Sequence, residues 1–82
     1  MKVLVWGLGY VGSVTATCLA DVGHEVIGVE PNTSKMTMVN AGQSPIKEPG
    51  LDCLLSKAVS HGRLRAVSDG ISLVGWADVS LI

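Results

Sequence analysis

At 82 residues the chain has the size of one small domain, and 48% hydrophobic residues with a formal net charge of -1 exclude a disordered polyelectrolyte and give no reason to expect a polyanion partner. Arg63 and Arg65 are too sparse for a nucleic-acid footprint, and no uninterrupted apolar stretch approaches the roughly 18 residues of a membrane helix. Cys18 and Cys53 make no CxxC pair and have no Cys or His at ligand spacing, so no metal site is expected and both read as buried thiols of a reducing cytoplasm.

Met1-Lys2 followed by Val3 to Trp6 faintly imitates a signal peptide, but Gly7, Gly9, Tyr10 and Gly12 interrupt the apolar core before it reaches a useful length. Val3-Leu4-Val5-Trp6 instead suits a strand buried on both faces, as in a parallel sheet covered by helices. From Val11 the period changes: Val11, Val14, Cys18, Leu19 and Val22 follow helical spacing, and Gly23 stands where a helix C-terminal glycine belongs. Val26-Ile27-Gly28-Val29 reads as a second buried strand, closed by Glu30 and stopped by Pro31. Thr33 or Ser34 is the expected cap of a short helix that carries Met36 and Val39 and ends at Gly42. The prolines of "QSPIKEPG" make a loop. Leu51, Leu54, Leu55, Ala58 and Val59 then form one apolar helix face, terminated by Gly62. Leu64 to Val67 is a third strand, residues 70 to 76 a weak helix made weaker by Gly75, and Val79 to Ile82 the start of a fourth strand.

The glycine cluster therefore lies between a strand and a helix, the setting in which Gly7-x-Gly9-x-x-Gly12 has a physical reason. Glycine costs about 0.5 to 1 kcal/mol in regular structure, so three in six residues need one. The first permits the tight turn, the second lets a pyrophosphate reach the backbone, and the third lets helix and strand pack closely. The helix N-terminus then receives the phosphates through amides that lack partners. Tyr10 and Val11 fall at this junction and would offer backbone N–H groups whatever their side chains do. Glu30, ending the second strand, is placed to accept hydrogen bonds from ribose hydroxyls and to repel a 2′-phosphate, which favours NAD over NADP. Lys35 could reach an adenosine ribose or phosphate, or stand solvated on the surface. His24 and His61 read as a turn residue and a helix-end residue without chemistry. The fold expected is α/β, a truncated Rossmann-type doubly wound parallel sheet of about four strands with flanking helices.

"GLGYVGSVTATCLADVGHEVIGVE", "NAGQSPIKEPGLDCLL", "GRL" and "ADVSLI" together resemble the N-terminal part of the UDP-glucose/GDP-mannose dehydrogenase family over essentially the whole chain. Ser44 to Leu51 is the most discriminating piece, because a generic dinucleotide-binding unit gives no reason for it. Asn40 to Ile46 resembles most the GDP-mannose branch of the family, which makes the bacterial alginate precursor. The resemblance implies an NAD-dependent, two-step oxidation of a sugar C6 alcohol to a carboxylate, through an aldehyde-level intermediate and a thiol-bound ester, with GDP-mannose the preferred substrate and UDP-glucose the next. It implies NAD contacts at Tyr10, Val11, Glu30 and Lys35, with Gly7, Gly9 and Gly12 forming the loop; the family usually has Asp where Glu30 stands.

The family's nucleophilic cysteine and catalytic lysine lie in segments far downstream, and neither Cys18 nor Cys53 matches the nucleophile's motif, so no catalytic residue is expected within 1–82. Low exposure is expected to keep both thiols inert. Glu48 could line the edge of the site, or with Pro49 simply precede helix initiation. The apolar stop at Ile82 leads to the expectation that residues 1–82 are the N-terminal part of a larger cytoplasmic protein, an oligomer of like chains, without nucleic-acid or membrane partners. The alternative is a nucleotide-sensing regulatory module of similar beginning, which would bind NAD or ATP without chemistry; the "SPIKEPGL" loop and the helix after it argue against that.

Overall fold

Val3-Leu4-Val5 and Val26-Ile27 offer no polar side chain to turn toward water, so a strand made from either must be covered on both faces. In the computed structural model, which describes residues 1–82, they form the middle of β1 (Lys2–Trp6) and β2 (Glu25–Val29), joined in one parallel sheet by β3 (Leu64–Val67) and β4 (Val79–Leu81). The strand order is β3-β2-β1-β4. Lys2 lies beside Glu25 and Trp6 beside Val29 on one flank of β1, and Val3 beside Val79 on the other. The chain thus winds outward from β1 to β3 and then returns to the opposite side of β1. Such a reversal opens a crevice at the C-terminal ends of the central strands.

Alternation along the strands feeds two separate cores. Val3, Val5, Val26, Leu64 and Ala66 face the helices α1 (Tyr10–Asp21), α2 (Thr33–Asn40) and α3 (Leu51–Ser60) and pack with Leu8, Ala16, Ala20, Val39, Leu55 and Ala58. Leu4, Ile27 and Val29 face the other way, under Trp6, Val67, Leu73, Trp76 and Ala77. Fully burying a Leu or Val side chain is worth about 1.5–3 kcal/mol, so both layers contribute.

Three expectations are corrected. Of the stripe Val11, Val14, Cys18, Leu19 and Val22, Leu19 packs against the core, but the stripe is not centred on the packing face of α1: Val11 and Val22 remain 75% and 72% exposed, while Ser13, Ala16, Thr17 and Ala20 are buried. Small side chains let the helix lie close on the sheet, and apolar spacing alone ranks Val above Ala and so chooses the wrong face. The cap of α2 is Asn32, one residue before the expected pair; its Oδ1 accepts from the Ser34 and Lys35 N–H groups at 3.0 and 3.2 Å. Residues 70 to 76 form no regular α-helix, only a short 3-10 turn at Ile71–Leu73. Gly70 is tightly covered there, since a Cβ on it would lie 2.4 Å from Val29 Cγ2.

The outer edge of β3 is closed at Ala66. The Asn40 side-chain carbonyl accepts from the Ala66 N–H at 2.8 Å, and its amide donates to the Ala66 carbonyl at 3.0 Å, imitating one rung of a missing neighbour strand. A blunted edge resists pairing with another chain. Asn40→Ala should therefore cost about 2 kcal/mol, at about 1 kcal/mol per hydrogen bond, and increase self-association. Urea unfolding with light scattering checks this: a variant as stable and as monodisperse as the parent would show that Asn40 protects nothing.

Candidate dinucleotide site

The loop from β1 to α1 is built from the backbone outward. Gly7 takes a φ of +93°, which side-chain-bearing residues rarely adopt, and its N–H donates to the Val29 carbonyl at 2.8 Å, tying the turn to the end of β2. Leu8 then points inward, 1% exposed, and fills the space over Gly28, where a Cβ would approach its side chain to 2.7 Å. The Leu8 carbonyl accepts from the Ser13 hydroxyl at 2.9 Å, closing the loop onto the first turns of α1. A Cβ on Gly12 would fall 1.8 Å from the Gly7 carbonyl oxygen. Gly9 differs from both neighbours. Its backbone is extended, and a Cβ there would meet nothing within 4 Å.

Gly9 is the N-cap of α1 and supplies no side-chain hydrogen bond. The first amide of the helix to find a backbone acceptor is that of Ser13, which donates to the Gly9 carbonyl at 2.9 Å, so the Tyr10, Val11 and Gly12 N–H groups are left without backbone partners. Their orientation and the positive end of the helix dipole favour an anion beside them. The open space at Gly9 is where a diphosphate would need to come close. These features fit a dinucleotide.

Across the crevice Glu30 is 7% exposed, unusually buried for a carboxylate. Its Oε2 accepts from the Asn32 N–H and its Oε1 from the Leu8 N–H, each at 2.9 Å, so one side chain links the β1–α1 loop to the start of α2. The Asn32 N–H holds the carboxyl below the usual carboxylate range, burial opposes this, and the Leu8 N–H and the Lys35 charge assist it. An ionised carboxylate has about four acceptor positions, so two bonds to the backbone leave room for two ribose hydroxyls.

The structure brings Gly7, Gly9, Tyr10, Val11, Gly12, Glu30 and Lys35 to the C-terminal ends of β1 and β2. Val11 keeps its side chain in solvent rather than in the core, so its contribution to such a site is its N–H. Tyr10 is exposed, and its hydroxyl donates to Glu48 Oε2. That hydrogen bond and the Glu48 charge raise the Tyr10 pKa above its ordinary value. Cys18 and Cys53 require a correction: both are exposed, so burial does not protect them. Cys18 lies on the outward side of α1 because the small residues take the inward one. Asn32 and Leu8 also build the site, through the N–H groups that hold Glu30 and the Leu8 side chain over Gly28. The Asn32 signal was available in "PNTS", since Asn caps helices at least as well as Thr or Ser; for Leu8 the clue was an isolated large apolar residue between two glycines.

The sequence matches, over residues 1–82, the family described as "UDP-glucose/GDP-mannose dehydrogenase family, NAD binding domain". GDP-mannose 6-dehydrogenase of Pseudomonas putida is 48% identical over 82 residues, covering 100% of this chain and 19% of the relative. UDP-glucose 6-dehydrogenase of Rhizobium meliloti is 43% identical with the same coverage of each chain. The crystal structure of a ternary complex of GDP-mannose dehydrogenase from Pseudomonas aeruginosa superposes with a TM-score of 0.94 at 48% identity, covering 98% of this chain and 18% of that one. The chain therefore spans about one fifth of the length of these relatives. Nothing in these likenesses supports the nucleotide-sensing alternative. With its parallel sheet, glycine loop and buried acid, the chain belongs to the UDP-glucose/GDP-mannose dehydrogenase family, as its NAD-binding domain.

Proposed function

We propose that this domain holds NAD for a nucleotide-sugar 6-dehydrogenase, with Gly7, Gly9, Tyr10, Val11 and Gly12 forming the pyrophosphate cradle and with Glu30 and Lys35 facing the adenosine ribose. The observation that carries the reading is the run of unpartnered N–H groups at Tyr10, Val11 and Gly12 beside the open space at Gly9. A Ser, Thr or Asp at the cap would consume one of these donors; Gly9 consumes none. Glu30 binds hydroxyls by its free lone pairs and discourages a 2′-phosphate by its charge. Lys35, half-buried near Glu30, adds a positive charge that tempers the local field.

When bound, NAD would supply the hydride acceptor for the oxidation of the sugar alcohol to the carboxylate level. The residues present here bind and orient; none is placed to take a substrate proton or form an ester. Cys18 and Cys53 are exposed on α1 and α3 and neither adjoins the glycine loop. We read the 82 residues as the N-terminal part of a larger dinucleotide domain, a reading supported by the 19% of the relative that they cover, and we propose that the full-length protein is a cytoplasmic homo-oligomer. GDP-mannose is the preferred substrate and UDP-glucose the next, in the order of the 48% and 43% identities. No nucleic-acid or membrane partner is proposed; no helix is long and apolar enough to cross a membrane.

In the full-length protein that carries this domain, GDP-mannose should yield two NADH per sugar, and Gly9→Val should reduce turnover at fixed NAD at least about tenfold by filling the diphosphate's space. Far-UV circular dichroism should be unchanged, because a Cβ at Gly9 meets nothing within 4 Å. Equal NAD affinity before and after the substitution would remove the cradle from the account.

Glu30→Gln tests the acid in two ways. The folded-state pKa is depressed, so the stability Glu30 contributes is present above the unfolded carboxylate pKa and is lost as pH falls through the lower folded value. At pH 7 the variant should be about 1–3 kcal/mol less stable, since Gln can accept only one of the two backbone N–H bonds, and the gap should close at acidic pH. Its discrimination against NADP should also weaken. A stability gap that stays constant from neutral to strongly acidic pH would contradict the assignment.

A further inference from the structure

The Ser44–Gly50 segment is left without a task by the cofactor reading, although it is the most distinctive stretch of the sequence and one of the most closely braced. The Ser44 hydroxyl donates to the Ile46 carbonyl at 2.6 Å and accepts from the Ile46 N–H at 3.2 Å. The Ser44 N–H donates to Asp52 Oδ1 at 2.7 Å, fastening the start of the loop to the first turn of α3. Gly50, with a φ of +81°, turns the chain directly into that helix. Between these two fixed ends the loop presents Glu48, whose Oε2 accepts the Tyr10 hydroxyl from across the gap to α1.

Tyr10 is the first residue of α1 and carries one of the three N–H groups that have no backbone partner. A helix start normally gains order from a capping side chain, but such a cap would occupy the donors that an anion needs. Gly9 leaves them free and leaves the turn uncapped. Glu48 grips the same turn through the Tyr10 side chain, outside the ring of amides, so it supplies order without using a donor.

We infer that Glu48 is a positioning residue for NAD: held out by the braced Ser44–Gly50 loop, it fixes Tyr10 and thereby aims the first-turn amides of α1 at the pyrophosphate. The inference rests on the cradle reading and adds to it the residue that keeps the cradle in shape before the cofactor arrives. Preorganisation of this kind raises affinity by lowering the ordering cost of binding.

Tyr10 is the only tyrosine among the 82 residues, so ultraviolet titration of tyrosinate reports on it alone. Glu48 is the only charged group that raises its pKa. In the parent chain Tyr10 should ionise above the ordinary tyrosine range, and in Glu48→Gln and Glu48→Ala it should return toward it. In the full-length protein that carries this domain, NAD affinity should fall about three- to tenfold in Glu48→Ala, the effect expected of losing one helix cap, and should be partly restored in Glu48→Gln, which keeps an acceptor. Tyr10→Phe should lose a similar factor, and the double variant Tyr10→Phe/Glu48→Ala no more than either single one. Unchanged affinity in Glu48→Ala, or losses that multiply in the double variant, would overturn the inference. Gly9→Val separates the two levels. If the full-length parent binds NAD and its Gly9→Val variant does not, an indifferent Glu48→Ala condemns only the positioning role; if Gly9→Val binds NAD as the full-length parent does, the cradle reading falls and takes this one with it. Should Glu48→Ala not fold, Glu48→Gln still decides, because a Tyr10 titration identical to the parent's contradicts the contact.

Discussion

The first turn of α1 lies so close to the end of β1 that a single methyl group at Gly12 would fall 1.8 Å from the Gly7 carbonyl oxygen. This approach sets the direction in which α1 leaves the sheet, and with it the position of the amides at Tyr10 and Val11. The rest of the region supports it. Leu8 fills the hollow beneath the loop over Gly28, the Ser13 hydroxyl bonds back to the Leu8 carbonyl, and Glu30, just past β2, holds the Leu8 N–H. The loop is thus built from three glycines with three different constraints: a positive φ at Gly7, free space at Gly9, and close contact at Gly12.

Order and availability compete at this loop. Side-chain caps, packed valines and paired amides would all make the turn firmer, and each would remove part of what a diphosphate uses. The chain resolves the competition by placing its braces outside the cradle. Glu30 links the two loops through their backbones while retaining free lone pairs, and Asn32 caps α2 rather than α1. Farther away, Asn40 closes the β3 edge and Ser44 locks the following loop, where no ligand contact is needed.

Much of this was legible in the residues. Continuous apolar runs bounded by glycine and proline located β1 and β2, and the change from strand to helical period around Gly7-x-Gly9-x-x-Gly12 located the cofactor loop. Glu30 stood out as an acid at the end of a buried strand. The packing face of α1 was not legible, because the sheet selects small side chains for close approach while periodicity weights large ones; Val11, Cys18 and Val22 accordingly point outward. Tyr10 meeting Glu48 and Asn40 meeting Ala66 are separated by 38 and 26 positions in the chain, and pairings of that kind depend on how helices settle against the sheet. The turn at Ile71–Leu73 illustrates the opposite limit, a segment too short and glycine-flanked for periodicity to distinguish a helix from a single 3-10 turn.

The central claim is that the open amides at the start of α1 are kept for a diphosphate. Titrating the isotopically labelled chain with NAD and following its backbone amide resonances tests it most directly. The account predicts the largest shifts at Gly9, Tyr10, Val11 and Gly12, smaller ones at Asn32 and Lys35, and little change along α3. Shifts centred on the groove lined by Gln43, Asp52 and Lys57, with the glycine loop unmoved, would contradict it.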